Sequence, residues 1–147
     1  MYSIVLILHS WLRWFAILAG LGATATALAP GTARSEKAGL LFMIAADLQM
    51  LLGVLLYGFL SPYTTAYFMD FGAAMRDPVA RFWAVEHPVM MLLAVVFAHL
   101  GRVLARKAPT PAAKRTRLLI CFGLATLLMI AATPWPGMRG ARELFRL

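Results

Sequence analysis

Residues 2–29 read YSIVLILHSWLRWFAILAGLGATATALA, an apolar run interrupted near its start by His9, Ser10 and Arg13. A helix crossing the ~30 Å hydrocarbon core of a bilayer needs ~20 mostly apolar residues, and this stretch exceeds that. It lacks the alternation of apolar and polar residues that marks a membrane β-barrel strand. In hydrocarbon a single segment satisfies its own backbone hydrogen bonds only as a helix. A cleavable signal peptide is not expected, because no basic stretch precedes the run, His9 and Arg13 break it, and it is too long.

Working outward, residues 37–60, 78–104 and 113–133 have the same character, so the expected fold is all-α. It is a single domain of four transmembrane helices in an up-down bundle with short loops. The composition agrees: 62% of the 147 residues are hydrophobic, against ~45–50% in ordinary soluble domains. Pro30-Gly31 and Ser61-Pro62 end the first two spans. Asp77-Pro78 opens the third as an N-cap followed by proline. Pro134-Trp135-Pro136 ends the fourth, with a tryptophan where an interfacial aromatic belongs. The one long connection, residues 61–77, carries Tyr63, Tyr67, Phe68, Phe71 and Met75 and reads as a short amphipathic helix or lid lying at the interface.

Charge sets an expected orientation. Eight Lys or Arg residues occupy the first and third connections (Arg34, Lys37 and six within 102–117). Five lie on the other side: Arg76, Arg81, Arg139, Arg142 and Arg146. The positive-inside rule then places the first and third loops in the cytoplasm. Both termini and the lid are then expected outside. The net charge of +8 suits anionic lipid headgroups, since the basic residues flank spans; nucleic acid is not an expected partner. Cys121 is the only cysteine, which excludes an internal disulfide. No phosphate-binding glycine loop, Cys-rich metal motif or nucleophile elbow is present, so hydrolytic or transferase catalysis is not expected.

Function is read from polar groups inside the spans, because each is costly there and needs a partner. These are His9, Ser10 and Arg13 in the first span, Asp47 and Gln49 in the second, and Glu86, His87 and His99 in the third. At ~1.5 Å per residue, His9 lies roughly 10 Å along its helix and His87 roughly 14 Å beyond Pro78. Both helices start on the same side, so the imidazoles share a level. Two histidines from facing helices at one depth satisfy the axial requirement of a b-type haem. Arg13, Arg76 and Arg81 are candidate partners for its propionates. Trp11, Trp14, Phe82, Trp83, Met90 and Met91 are candidate lining.

Alternatives remain. Arg13 and Glu86 as an ion pair, with His9 and His87 hydrogen-bonded, would lock helix to helix without a cofactor. A metal ion held by His9, Glu86 and His87 is geometrically poor, because adjacent residues point in different directions on a helix. Asp47 and His99 share a deeper level and read as a hydrogen-bonded pair, or as part of a proton relay. Pro88 lacks an N–H, which frees a carbonyl near residue 84. Ala19, Ala23 and Ala27, with Gly22 and Thr26, form small faces suited to close helix contact.

The chain resembles small bacterial four-span membrane proteins labelled cytochrome b-like. The resemblance covers most of the chain. It is carried by His9-Ser10-Trp11-Leu12-Arg13, residues 47–53 (DLQMLLG), residues 81–88 (RFWAVEHP) and Pro134-Trp135-Pro136. It implies haem b, electron transfer and His9 and His87 as axial ligands. It departs at Asp47, where relatives often carry histidine. The expected function is therefore a haem-carrying electron-transfer protein, or such a subunit of a respiratory or photosynthetic complex, with a quinone docking beneath the lid. The alternatives are a cofactor-free accessory subunit of a larger complex or homo-oligomer, and a small proton channel using Asp47 and His99.

Overall fold

The structure, a computed structural model, describes residues 1–28, 33–138 and 140–145. The Pro30-Gly31 stop, and Arg139 and Arg146 of the charge count, lie outside the described residues. Among those described the chain is helical, 84% of it, without strands. Helix α1 spans Tyr2–Ala27, and α2 spans Ala33–Leu55 and continues through a π-helical turn, Leu56–Leu60. Two short helices come next, α3 (Pro62–Met69) and α4 (Phe71–Arg76). Then come α5 (Pro78–Arg81), a second π-helical turn (Phe82–Glu86), α6 (His87–Arg106) and α7 (Pro111–Ala131).

Among the described residues, three segments are long and apolar enough to cross a membrane: Tyr2–Ala27, Arg34–Leu60 and Pro78–Arg106. Helix α7 falls short for a simple reason. Lys114, Arg115 and Arg117 sit in its first two turns, so uninterrupted apolar sequence begins only at Leu118.

The helix starts obey local chemistry. Ser61, Asp70, Asp77 and Thr110 each accept a hydrogen bond from the backbone N–H three residues on, the N-cap arrangement. Proline stands at the first position in three of them, where its missing N–H costs nothing. Ser61-Pro62 thus opens α3 as well as ending the helix before it. The 61–77 segment is two capped helices. They expose Tyr63, Phe68, Met69 and Phe71, so it presents an apolar outer surface.

Helices α1, α2, α6 and α7 pack in a ring, α1 on α2, α2 on α6, α6 on α7 and α7 on α1. The core away from the lid is built of alanines with Ile17, Leu118 and Met129, and of Phe42 and Phe122. Those two rings meet edge to face with centroids 5.7 Å apart. Glycines make room for them. A Cβ on Gly20 would come within 2.9 Å of Phe42, and one on Gly39 or Gly101 within 2.9 Å of Phe122. Of the expected small faces, Ala23 and Ala27 are buried. Gly22 approaches nothing, because it lies on the outside of the ring. Gly20, Gly39 and Gly101 provide the close approach instead.

Candidate functional site

Pro88 shapes the site. It has no N–H for the carbonyl of Ala84, and the helix widens into a π turn over Phe82–Glu86, with the His87 N–H reaching back to Phe82. The freed Ala84 carbonyl accepts a hydrogen bond from the Tyr57 hydroxyl at 2.6 Å. Tyr57 lies in the other π turn, and its own carbonyl accepts from Thr64 of α3 at 2.8 Å. The two distorted turns are therefore tied to each other and to the lid.

His9 of α1 and His87 of α6 face each other across the ring, as expected. Their ring centroids are 6.4 Å apart with planes inclined at 69°. Nδ1 of His87 donates to the Ala132 carbonyl at 2.9 Å. That carbonyl is free because α7 ends at Ala131 and Pro136 has no N–H to return to it. A carbonyl can only accept, so Nδ1 is the donor in this contact. His9 is held by Gln49. The Gln49 amide donates to the His9 carbonyl at 3.0 Å and lies 3.2 Å from its Nε2. His9 Nδ1, Gln49 Oε1 and Trp83 Nε1 are buried without hydrogen-bond partners. Gly53 stands opposite His9, where a Cβ would come 3.3 Å from the ring.

Both histidines line a cavity of about 600 Å³. Its wall is mostly apolar, with Ala46, Met50, Gly53, Ala84, Met91 and Ala94 among the lining residues, and it extends from the rings to Tyr63, Thr64 and Phe68 of the lid. The C-terminal segment closes the same end. The Arg13 guanidinium donates to the Leu144 carbonyl, and Trp14 Nε1 donates to the same oxygen at 3.3 Å. Phe145 stacks on Trp14 at 5.3 Å. Arg142 sits over the rings of Tyr63 (5.0 Å) and Trp83 (5.3 Å) and also lines the cavity.

The remaining candidates separate from this cluster. Arg81 Nε donates to Glu86 at 2.8 Å. Residues five apart lie one above the other in a π turn, so the distortion aims Glu86 at Arg81 and away from Arg13. Glu86 therefore joins neither the Arg13 ion pair nor a three-ligand metal site. Among the described residues no three His, Cys, Asp or Glu side chains come together. Of the arginines considered for propionates, Arg13 lines the cavity, and Arg81 is held by Glu86 and the Met75 carbonyl. Asp47 and His99 do form the expected pair, Oδ1 to Nε2 at 2.8 Å, but on the outside of the ring.

Sequence reading missed two contributors. Gln49 was visible as a polar residue in an apolar span, though nothing local ties it to His9. Arg142 carried no signal, because its place depends on the fold-back of the tail. No protein-family model, curated protein or solved structure matches the chain.

Proposed function

We propose that the chain is a polytopic membrane protein, a bundle of four helical spans, with α7 as the fourth. Residues 118–133 supply the apolar length of that span, and the basic side chains before them extend toward headgroups. On this reading the Lys- and Arg-rich end faces the cytoplasm of a bacterial inner membrane. The termini and lid lie outside.

Within that class, the reading best supported is a b-type haem carrier that transfers single electrons, in line with the cytochrome b-like resemblance. The observation that carries it is the pairing of His9 with His87. If a haem were bound, His9 and His87 would be the side chains that hold its iron. Their ring centroids are 6.4 Å apart, with the rings in the wall of an apolar cavity. Other details fit the group. The His87 Nδ1–H is fixed on a carbonyl, the outer-shell contact that orients a ligating histidine. His9 Nδ1 is an orphaned buried atom, and Gly53 leaves a space beside it that a methyl would fill. Bound haem supplies one-electron exchange at its iron. The chain's own part is to hold the rings, exclude water with the lid and tail, and offer Arg13 and Arg142 as cations for propionates. The cavity continues under the lid, where a quinone is the proposed exchange partner. A larger respiratory or photosynthetic assembly is the proposed setting.

A cofactor-free accessory subunit is the second reading, favoured by one contact. Gln49 already occupies Nε2 of His9, and the tilted rings touch as an ordinary edge-to-face pair does. A proton channel is supported less, since Asp47 and His99 do not line the cavity.

A reduced-minus-oxidised spectrum of the purified protein decides between haem and no haem. The expected result is a b-type α-band that is lost in His9→Ala and in His87→Ala. A colourless, folded wild-type protein, obtained from haem-replete cells, would overturn the haem reading and leave the accessory one.

A further inference from the structure

The Asp47–His99 pair is out of place on the surface of such a protein. Asp47 lies ten residues beyond Lys37, roughly 15 Å into the span at the usual helical rise. Its side chain is 43% exposed and that of His99 47%. Exposed apolar side chains surround them: Ile44, Leu48 and Leu51 on α2, and Val96, Leu100 and Val103 on α6. Ionisable groups within a membrane segment face protein or water rather than acyl chains, because lipid solvates neither partner. The pair therefore calls for a cover.

Its chemistry identifies the cover. The internal contact uses one carboxylate oxygen and one ring nitrogen. Each partner keeps one more polar atom outside that contact: Asp47 Oδ2, an acceptor, and His99 Nδ1, a ring nitrogen able to donate. That remainder complements itself. In a two-fold arrangement the same patch meets its own copy, and each Asp47 then faces the His99 of the other protomer, closing a ring of alternating Asp and His side chains within an apolar rim. We propose that the α2–α6 face is the interface of a homodimer built on the Asp47–His99 pair. This inference needs the membrane placement but not the haem.

The test uses the full chain in phosphatidylethanolamine–phosphatidylglycerol vesicles at low protein-to-lipid ratio. Association is read by energy transfer between labelled chains. Crosslinking of Ile44→Cys in a Cys121→Ser background reports the face, with Leu21→Cys, on α1 away from the α2–α6 seam, as the control. The wild type is expected to dimerise, and Ile44→Cys to crosslink while Leu21→Cys does not. Asp47→Leu is expected to weaken association at least tenfold. The exchange Asp47→His with His99→Asp keeps the alternating ring and restores association, which separates a lost interface from a lost fold. A monomeric wild type, crosslinking at Leu21→Cys instead, or dimers indifferent to Asp47→Leu would overturn the proposal. So would a subunit of different sequence occupying the face while the chain itself stays monomeric.

Discussion

The two ends of the helix ring are packed by opposite means. Away from the lid, Phe42 and Phe122 lie against Gly20, Gly39 and Gly101, and alanines with Ile17, Leu118 and Met129 complete the core. Removing side chains from the backbone there lets aromatic rings occupy the space, and the seam closes. Near the lid, small residues again face inward, at Ala46, Gly53, Ala84 and Ala94, but no large ring fills the room they leave. What stands there is a pair of imidazoles, three buried polar atoms lacking partners and a cavity. The same helices thus serve one end as a clamp and leave a cavity at the other. Small residues in a membrane helix do not by themselves announce close packing; their meaning depends on what faces them.

Substitutions that separate stability from occupancy would sharpen this contrast or break it. Phe122→Ala should have the largest effect, a loss of about 3–5 kcal/mol, the usual range for emptying a packed aromatic site. It is measured by reversible unfolding in mixed detergent micelles. Gly101→Leu, on the same seam, should cost about 1–3 kcal/mol by overpacking, because even its Cβ meets Phe122 and Cys121 at 2.9 Å. At the lid end, Tyr57→Phe leaves the Ala84 carbonyl without its partner. The expected loss is about 1–2 kcal/mol, as for a buried acceptor deprived of its donor, together with faster proteolysis within residues 61–77. Gly53→Ala should be smallest in stability, within about 0.5 kcal/mol, like a substitution outside the packed core. If the proposed haem site is real, it should nevertheless lower the haem content of the purified protein, since the added methyl sits 3.3 Å from the His9 ring. A Gly53→Ala protein as unstable as Gly101→Leu would mean that the lid end is clamped too, and the contrast would fail.

Where the determinants are local, the sequence was legible. The long apolar segments, the Asp77-Pro78 start and the carbonyl freed by Pro88 come from composition and near-neighbour chemistry. The level shared by His9 and His87, and by Asp47 and His99, comes from counting along a helix at constant rise. The destination of Glu86 was not legible. One extra residue in a helical turn rotates every later residue of that helix by about 100°, and the π turn before His87 is such an insertion. Gln49 and Arg142 were illegible for a different reason. Each acts on a residue far away in the chain, and no periodicity records that.

Sequence alone determined that the chain is helical, apolar over lengths that match a bilayer, and marked by a few polar groups in its spans. Those properties arise from each segment's own side chains and backbone. Only the tertiary structure decided that His87 meets the Ala132 carbonyl, His9 meets Gln49 and Glu86 meets Arg81, and that the expected Asp47–His99 pair lies on the outer face. The physical reason is that rise along a helix is nearly invariant, whereas rotation about its axis is set by how neighbouring helices pack.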